Sequence, residues 1–369
     1  MSLWRILVVD DEPGMLRSVE RVLGKDYNVA GARSPREAIE LTTTFMPDLA
    51  ILDIQMPEMD GFQLMEELQA RDPELDVIFM TGSTHEIDAK LIKAIRKDAF
   101  YFLQKPFDRG VLLSLVERCL ELKRLDRSNR DHQLRMEKEL ADARAFQQSL
   151  LPPGSGKIEG ISVFAHYIPC SELGGDFYDY AVASQGVAIL VADVSGHGAS
   201  AAMLTGTVKS AFHSASADHY EPASVVERVA SGIRTFGHHH FVTLICARIR
   251  NGSLDFVNAG HPPGFLLNGS PDVALLESTG PLISPAFKFS WEQRTVTVRR
   301  GADRIVLFTD AIIEAEADSG QYGLDRLLEE VQKGPQDGKA LSDRILSSVR
   351  QFMLDRPMND DLTLVVADL

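Results

Sequence analysis

The N-terminal third of the chain alternates short apolar runs with amphipathic stretches. Residues 36–45 and 62–71 have the spacing of helices that bury one face. Ser34-Pro35 is a good helix start, because Ser can cap a helix and Pro suits its first turn. This alternation predicts an α/β domain built on a doubly wound, five-stranded parallel sheet. The apolar runs that predict its strands are residues 6–9, 27–30 (the weakest), 49–52, 77–80 and 101–103.

The pattern of apolar and polar residues changes after about residue 158. Longer strand-like runs dominate, and helical patterns cover residues 199–214 and 222–235. This order predicts an α+β domain, in which an antiparallel β-sandwich is flanked by helices. The strand-like runs are residues 161–167, 187–191, 241–249, 254–257, 304–308 and 362–366.

The region between these two patterns is predicted to be helical. Its pattern runs over residues 109–125, turns polar over 126–133, and resumes over 134–151 until Leu-Pro-Pro-Gly stops it. We place a first domain at 1–123, a helical linker at 124–152 and a second domain at 153–369. Two interpretations of the linker stay open. It is either a marginal coiled coil that pairs two copies of the chain, or two separate helices joined by a hydrated hinge.

Charge and cysteine content limit the kinds of binding partner and the cellular compartment that we expect for this chain. The net charge of -15 argues against nucleic acid, whose phosphates require clustered Lys and Arg. Cys119, Cys170 and Cys246 are scattered without paired spacing, which is typical of a reducing cytoplasm. No apolar run is long enough to span a membrane, and the first residues contain no signal-peptide pattern. We therefore expect a cytoplasmic protein that binds neither nucleic acid nor membrane.

Polar side chains follow the predicted strands of the first domain. Asp10 and Asp11 follow the first strand, Asp53 the third, Thr81 the fourth and Lys105 the fifth. The carboxyl ends of parallel strands meet at one edge of a sheet, so these side chains converge. Clustered carboxylates favour Mg²⁺, while Lys and Thr can bind phosphoryl oxygens. A carboxylate between Mg²⁺ and Lys can accept a phosphoryl group.

The motifs that carry these residues resemble the response-regulator receiver family from residue 4 to about 123. They are Val-Val-Asp-Asp-Glu at 8–12, Asp-Ile-Gln-Met-Pro-Glu-Met-Asp-Gly at 53–61, Met-Thr-Gly at 80–82 and Leu-Gln-Lys-Pro-Phe at 103–107. The resemblance implies a flavodoxin-like fold and a sensor histidine kinase that phosphorylates Asp53. It implies Mg²⁺ on Asp11, Asp53 and the Gln55 carbonyl, with Asp10 acting through water. The implied phosphoryl-binding and switch residues are Thr81, Lys105 and Phe102.

Aspartates also punctuate the strands of the second domain. Asp176 follows a double glycine, Asp193 ends an apolar strand before a glycine-rich turn, and Asp310 follows another strand. Asp360 and Asp361 precede the final strand. Carboxylates at strand ends, beside glycines that allow close backbone approach, suit a pair of hard divalent ions. Two such ions can activate water for attack on a phosphate ester.

Histidines offer a second kind of candidate. His261, in Asn-Ala-Gly-His-Pro-Pro, is either a group that orients the substrate or supports a ligand, or a structural turn histidine. His238, His239 and His240 are consecutive, and alternate side chains of a strand point to opposite faces. We therefore interpret the three histidines as a solvated loop rather than a metal site.

The second-domain motifs resemble the bacterial branch of the metal-dependent, type 2C-like protein phosphatases, typified by the stage II sporulation phosphatase. The resemblance covers about 145–369 and includes Phe-Val-Thr-Leu at 241–244 and Gln-Gln-Ser-Leu-Leu-Pro at 147–152. It implies two Mn²⁺ or Mg²⁺ ions. It also implies a phosphoserine or phosphothreonine substrate on an anti-sigma-factor antagonist, in a partner-switching pathway. The implied ligands are Asp193 as the bridge, the Val194 carbonyl, Asp176, Asp310 and Asp360. Asp361 and His261 are candidates for supporting these ligands.

One departure from the pattern keeps a rival hypothesis open. Ala311 stands where the family usually has Gly after the third Asp, which could weaken catalysis. The main hypothesis is a homodimeric response regulator whose output is a protein phosphatase. The first rival is a phosphatase-like adaptor that has lost turnover and binds a partner of a sigma-factor pathway. The second rival is a phosphatase that acts on phosphoaspartate.

Overall fold

A computed structural model describes residues 3–82, 101–184, 186–196, 198–236, 240–269, 273–286, 288–354 and 356–369. The chain divides into two compact units, Met1–Arg135 and Met136–Leu369. The domain limits at residues 123 and 152 stay a prediction, because one helix begins in the first unit and ends in the second. None of the helices in the described ranges is long and apolar enough to cross a membrane.

The first unit contains a five-stranded sheet in the order β2-β1-β3-β4-β5, and all of its strand pairs are parallel. This is the predicted doubly wound α/β fold, which is thereby confirmed. Its elements are β1 (Arg5–Val9), α1 (Pro13–Leu23), β2 (Asn28–Ala32), α2 (Pro35–Phe45), β3 (Leu49–Asp53), α3 (Gly61–Gln69), β4 (Asp76–Thr81), β5 (Tyr101–Gln104) and the first part of α4 (Arg109–Leu150).

Both faces of this sheet are buried, which explains its continuous apolar runs. In β3, Leu49 and Ile51 pack with α1 and α4, whereas Ala50 and Leu52 pack with α2 and α3. Successive side chains of a strand point to opposite faces, so one short segment supplies both cores. Helix α2 begins as predicted, with the Ser34 hydroxyl accepting a hydrogen bond from the Glu37 N–H at 3.3 Å.

Helix α4 is 42 residues long, and the polar stretch at 126–133 does not interrupt it. No Gly or Pro occurs between residues 111 and 151, so nothing in that sequence breaks the backbone hydrogen bonds. The helix ends just before Pro152 and Pro153, as the sequence predicted.

The second unit contains two antiparallel sheets, in the orders β14-β11-β10-β9-β8 and β13-β12-β15-β18-β7-β6. Its strands are β6 (Ser155–Ile158), β7 (Ile161–Ile168), β8 (Asp176–Ala183), β9 (Gly186–Val194), β10 (Val242–Arg250), β11 (Ser253–Ala259), β12 (Gly264–Leu267), β13 (Val273–Leu276), β14 (Arg294–Thr297), β15 (Arg304–Phe308), β16 (Glu316–Ala317), β17 (Gly320–Gln321) and β18 (Leu362–Asp368). Its helices are α5 (Ala199–Ser214), α6 (Pro222–Ile233), α7 (Leu324–Gln332) and α8 (Gly338–Met353).

These elements form four layers. Along β9, Ile189 and Val191 face the other sheet, while Leu190 and Ala192 face α5 and α6. A third core lies between the second sheet and helices α7 and α8. The predicted antiparallel sandwich flanked by helices is therefore confirmed. Strand β9 is buried on both faces because helices cover the outside of its sheet.

Candidate functional sites

Three aspartates meet at the carboxyl edge of the parallel sheet. Asp10 follows β1 and is fully buried, Asp53 ends the neighbouring strand β3 and is nearly buried, and Asp11 is exposed. One carboxylate oxygen from each lies within 4.8 Å of the others, which is a spacing that can hold one ion. The sequence predicted this convergence from the positions of the strand ends alone. These oxygen-only ligands have the chemistry that Mg²⁺ favours.

Lys105, which follows β5, places its ammonium group between two of these carboxylates. Its Nζ lies 2.7 Å from Asp10 Oδ2 and 2.9 Å from Asp53 Oδ2. Burial acts to lower the pKa of Lys105, but the hydrogen bonds to both aspartates outweigh it, and the pKa lies above its usual value. Burial raises the pKa of Asp53 despite the neighbouring ammonium. The pair therefore provides a fixed cation beside a poorly solvated carboxylate.

The remaining predicted residues of this edge take different positions. Thr81 ends β4 and is nearly buried. Gln55 is exposed, and its backbone N–H donates a hydrogen bond to the Asp53 carboxylate. Phe102 is half-buried on β5 and stacks on Phe79 of β4, with ring centroids 5.5 Å apart. The roles of Thr81, Gln55 and Phe102 in phosphoryl transfer stay predictions.

In the second unit, the two sheets meet at Asp176. This residue begins β8, lies opposite Asp193 of β9 in the strand register, and is buried. The hydroxyl of Thr309, which follows β15 of the other sheet, donates a hydrogen bond to Asp176 Oδ2 at 2.8 Å. Burial and the charge of Asp193 raise the pKa of Asp176 well above its usual range. A buried carboxylate whose pKa is raised by a second carboxylate would be stabilised by a bound cation, which makes this pair a candidate cation site.

Asp193 is surrounded by further negative charge. Burial raises its pKa, and so do the charges of Asp310, Asp360 and Asp361. Burial also raises the pKa of Asp310, and the charge of Glu314 raises it further. The sequence pattern does not single out Glu314, which lies four residues after Asp310 in an irregular segment beyond a short 3-10 helix. The four predicted aspartates thus influence one another electrostatically.

The side chains whose potential ligand atoms lie closest together at this site are not the full set of predicted metal ligands. Among the described residues, Cys170, Asp360 and Asp361 bring one ligand atom each within 4.8 Å of one another, and Asp176 and Asp193 do not belong to that group. Asp361 is buried and accepts hydrogen bonds from the backbone N–H groups of Cys170, at 2.8 Å, and Gly175. Asp361 therefore anchors the loop that leads into Asp176.

Glycine lets this loop approach the neighbouring strand closely. A Cβ on Gly175 would lie 2.5 Å from the Val194 carbonyl oxygen and 2.9 Å from that of Gly196. A Cβ on Gly174 would collide with the Tyr167 hydroxyl. The Val194 carbonyl, a predicted metal ligand, therefore lies against the loop that carries Asp176.

His261 is buried behind strand β10. Its Nδ1 lies 2.8 Å from the hydroxyl of Thr243, which is opposite Asp193 in the register of β10 and β9. The His261 backbone N–H donates to the Asn258 side chain at 2.8 Å. Burial lowers the pKa of His261 to about 3, so its ring is neutral. These contacts give the histidine a clear structural role, and its part in substrate or ligand orientation stays a prediction. His238 and His239 of the histidine run lie outside the described residues.

Ala311, where the family pattern has Gly, lies in a short 3-10 helix over Asp310–Ile312 and is nearly buried. Its backbone has no positive φ that would require glycine. The side chain packs with Ile312 and Phe308 in the core between β15 and the outer helices. The substitution is therefore compatible with the position of Asp310.

Comparison with known proteins identifies both units. The family model of stage II sporulation protein E matches residues 183–369, and that of the response regulator receiver domain matches residues 6–117. The transcriptional regulatory protein GlrR of Escherichia coli (strain K12) is 36% identical over 117 residues, which are 31% of this chain and 26% of GlrR. The chain thus spans about a quarter of the length of this relative.

Two solved structures share the fold of the second unit. The SiaA-PP2C domain of Pseudomonas aeruginosa has a TM-score of 0.56 at 19% identity and covers 64% of this chain and 98% of its own. The phosphatase domain of the cell fate determinant SpoIIE from Bacillus subtilis, with a fragment of its regulatory domain, has a TM-score of 0.50 at 18% identity. The match covers 58% of this chain and 64% of the SpoIIE chain. The chain belongs to the stage II sporulation protein E family of phosphatase-like proteins, with that domain joined to a response regulator receiver domain.

Proposed function

We propose that this protein is a response regulator whose output is a metal-dependent protein serine/threonine phosphatase. A sensor histidine kinase would phosphorylate Asp53, and the second unit would then dephosphorylate a phosphorylated anti-sigma-factor antagonist in the cytoplasm. The observation that carries the proposal is the meeting of aspartates at Asp193: Asp176 lies opposite it in the strand register, and the charges of Asp310, Asp360 and Asp361 raise its pKa. The family implies dependence on a divalent metal.

The proposed donors have the chemistry that hard divalent ions prefer. Carboxylates that raise one another's pKa are stabilised when cations lie between them, and oxygen-only donors suit Mn²⁺ or Mg²⁺. In this proposal Asp193 would be the ligand common to both ions, and the Val194 carbonyl would bind one of them. Asp176, Asp310 and Asp360 complete the set. Such a pair of ions, when bound, would supply an activated water for attack on a phosphate ester.

The residues around this set would hold its geometry. Thr309 fixes the direction of the Asp176 carboxylate by its hydrogen bond at 2.8 Å. Asp361 holds the backbone of Gly175 and Cys170 and so orders the loop before Asp176. This support leaves the site rigid, which lowers the cost of binding ions and substrate in one geometry.

In the receiver, Asp53 would act as the nucleophile. One of its oxygens would form a bond to the phosphorus of the kinase phosphohistidine, and the histidine nitrogen would leave. Lys105 lies 2.9 Å from Asp53 Oδ2 and can neutralise charge on the transferred group. Mg²⁺ held by Asp11, Asp53 and the Gln55 carbonyl, with Asp10 acting through water, would balance the remaining charge, and Thr81 would donate its hydroxyl to a phosphoryl oxygen.

The experiment is a phosphate-release assay on the full chain. The substrates are serine-phosphorylated anti-sigma-factor antagonist proteins, tested with Mn²⁺ or Mg²⁺ and with or without acetyl phosphate for the receiver. We expect metal-dependent release whose rate changes when acetyl phosphate is present. Absence of release with every antagonist and both metals would remove the phosphatase proposal.

A second candidate function is an adaptor that binds a sigma-factor-pathway partner without turnover. It is favoured by Ala311, because a methyl group next to the proposed ligand Asp310 departs from the family pattern. The same assay separates the two, since an adaptor would bind the antagonist in a pull-down and release no phosphate. The unstrained backbone at Ala311 favours the enzyme.

A further inference from the structure

The end of helix α4 carries a polar residue that faces inward. Gln147 is 7% exposed, whereas its neighbour Phe146 is 68% exposed and Gln148 is also exposed. Helices that pack on a protein normally turn their apolar side inward. A buried amide in this position must be satisfied by specific partners, so its contacts indicate what the residue does.

Gln147 pairs with the backbone of Gly174. Its Nε2 donates to the Gly174 carbonyl oxygen at 2.6 Å, and the Gly174 N–H donates to Gln147 Oε1 at 3.2 Å. Gly174 is itself buried, so water cannot easily replace these hydrogen bonds. Two antiparallel bonds between one side-chain amide and one residue fix its orientation as well as its position.

The chain between Gly174 and the proposed metal ligands has little freedom to absorb a displacement. Asp176 is only two residues away, and the intervening Gly175 N–H is bonded to Asp361. A side chain at Gly174 would collide with the Tyr167 hydroxyl, so this segment is closely packed on its other side. A shift of the Gly174 backbone would therefore move Asp176 and loosen Asp361.

A second contact between the helix and this loop is weaker. Arg144 Nη1 lies 3.2 Å from Glu172 Oε2, but the two side chains are 43% and 61% exposed. Exposed ion pairs contribute little, because solvent screens them. Among the hydrogen bonds and ion pairs of the described residues, those of Gln147 are therefore the main connection between the helix and this loop.

We propose that Gln147 is a positioning residue for the metal site, and that its pairing with Gly174 sets the affinity of the second unit for divalent ions. The proposal rests on the proposed function, which it deepens. Gln147 holds Gly174 so that Asp176 stays opposite Asp193. Gln147 belongs to the helix that begins at Arg109, so a change in the last turns of that helix acts directly on the site.

The test compares two substitutions of Gln147 with a matched control. Gln147→Leu keeps the size of the side chain and removes both hydrogen bonds. Gln147→Glu keeps an acceptor for the Gly174 N–H but turns a carboxylate oxygen towards the Gly174 carbonyl. Gln148→Leu makes the same change as the first variant at the exposed neighbouring position.

Mn²⁺ binding to the full chain is measured by titration calorimetry, and the heat that Asp193→Ala removes identifies the phosphatase site. We expect both Gln147 variants to weaken Mn²⁺ binding there by about 10- to 100-fold, which is typical for residues that orient metal ligands. Gln148→Leu should bind Mn²⁺ like the wild type. Thermal unfolding without metal shows which variants are folded.

Each outcome decides the proposal. A folded Gln147→Leu or Gln147→Glu variant that binds Mn²⁺ as tightly as the wild type overturns it. Failure of both variants to fold also overturns it, because Gln147 is then needed for the fold rather than for the site. If the wild type binds Mn²⁺ but releases no phosphate from any antagonist, the proposed function fails while the Mn²⁺ affinities still decide the role of Gln147. If Asp193→Ala removes no heat, both proposals fail.

Discussion

The hydroxyl of Thr309 donates a hydrogen bond to Asp176 at 2.8 Å, although the two residues are 133 positions apart in the sequence. The contact joins the end of β15 to the start of β8, and so links the two sheets at the candidate metal site. The Thr309 oxygen also accepts the Thr363 N–H at 2.9 Å, which adds strand β18 to the same point. One hydroxyl thus fixes a carboxylate relative to three strands.

We predict that Thr309→Val destabilises the second unit and weakens its metal binding. The substitution keeps the shape of the side chain but removes a buried hydrogen bond to a carboxylate, which is worth roughly 1.5–3 kcal/mol. Thr309→Ser keeps the hydroxyl and is the control. Chemical unfolding without metal measures the stability, and Mn²⁺ titration measures the affinity. Equal values for Thr309→Val and Thr309→Ser would show that the hydrogen bond is unimportant.

Asp193→Ala tests the proposed bridging ligand. In the proposed site, this substitution would remove the ligand common to both cations and leave the charges of Asp310 and Asp360 poorly neutralised. Metal ions supply several kcal/mol to such reactions, so hydrolysis of a phosphoserine substrate should fall by at least about 100-fold. The exposed Asp325→Ala on α7 is the control and should keep wild-type activity. Full activity of Asp193→Ala would refute the site assignment.

Gly175→Ala tests the close approach of the loop to strand β9. The added Cβ would lie 2.5 Å from the Val194 carbonyl oxygen, so the backbone must move. Overpacking of this kind typically costs about 1–3 kcal/mol. Gly206→Ala is the control, because a Cβ there meets nothing within 4 Å and lies in helix α5, where Ala is favoured. We expect a lower thermal midpoint for Gly175→Ala and an equal or higher one for Gly206→Ala. The opposite order would contradict the described geometry.

Local signals in the sequence predicted the first unit well. Ser34 caps its helix through a contact three residues away, and the strand ends that carry Asp10 and Asp53 follow directly from apolar runs. In a parallel sheet these ends converge whatever the details of packing, so the acidic cluster could be predicted from order alone.

The support of the second site could not be predicted in this way. Thr309 and Gln147 contact residues 133 and 27 positions away, and no local pattern in the sequence indicates which residues they contact. By its spacing along the helix, Gln147 is equally suited to a surface that pairs two copies of the helix. Only the tertiary packing shows that its amide turns towards Gly174.

For the receiver, we predict that Asp53 alone accepts a phosphoryl group. It lies 2.9 Å from the Lys105 ammonium and retains 6% exposure, whereas Asp10 is fully buried and so is closed to a phosphoryl donor. Incubation with acetyl phosphate and Mg²⁺ should add one phosphoryl mass to the wild type and to the control Asp131→Asn. Asp53→Asn should gain none. Mass spectrometry checks this, and a labelled Asp53→Asn protein would move the assignment to another residue.

Helix α4 is the candidate for dimer formation. Positions alternately four and three residues apart form the predicted seam, which comprises Leu115, Cys119, Leu122, Asp126, Asn129, Gln133, Met136, Leu140, Ala143, Gln147 and Leu150. Cys119 and Leu115 pack in the core of the first unit, and Gln147 and Leu150 pack within the second. The ends of the seam are therefore engaged within their own units, which leaves residues 122–143 for pairing.

This shorter seam is weak, which suits a switch. Met136 and Leu140 are 63% and 39% exposed, but Asp126, Asn129 and Gln133 are polar. A helix pair with a polar middle is only marginally stable. The free-energy difference between the paired and unpaired states is then about a few kcal/mol, which a change elsewhere in the protein can reverse. We predict that phosphorylation of Asp53 promotes receiver pairing, and that this pairing orders the seam as a parallel dimer with raised phosphatase activity.

Leu140→Asp tests this prediction, because it would place a charge in the paired seam and prevent its association. Ala145→Asp introduces the same side chain at an exposed position on the opposite side of the helix and is the control. Light scattering and phosphate release are measured on the same samples, with and without beryllium fluoride as a phosphoryl mimic. We expect the wild type and Ala145→Asp to double in mass and gain activity together, and Leu140→Asp to do neither. Activation without a change in mass, or a Leu140→Asp protein that responds like the wild type, would separate the activity from dimer formation and leave the contact of Gln147 with Gly174 as the route by which the helix acts on the site.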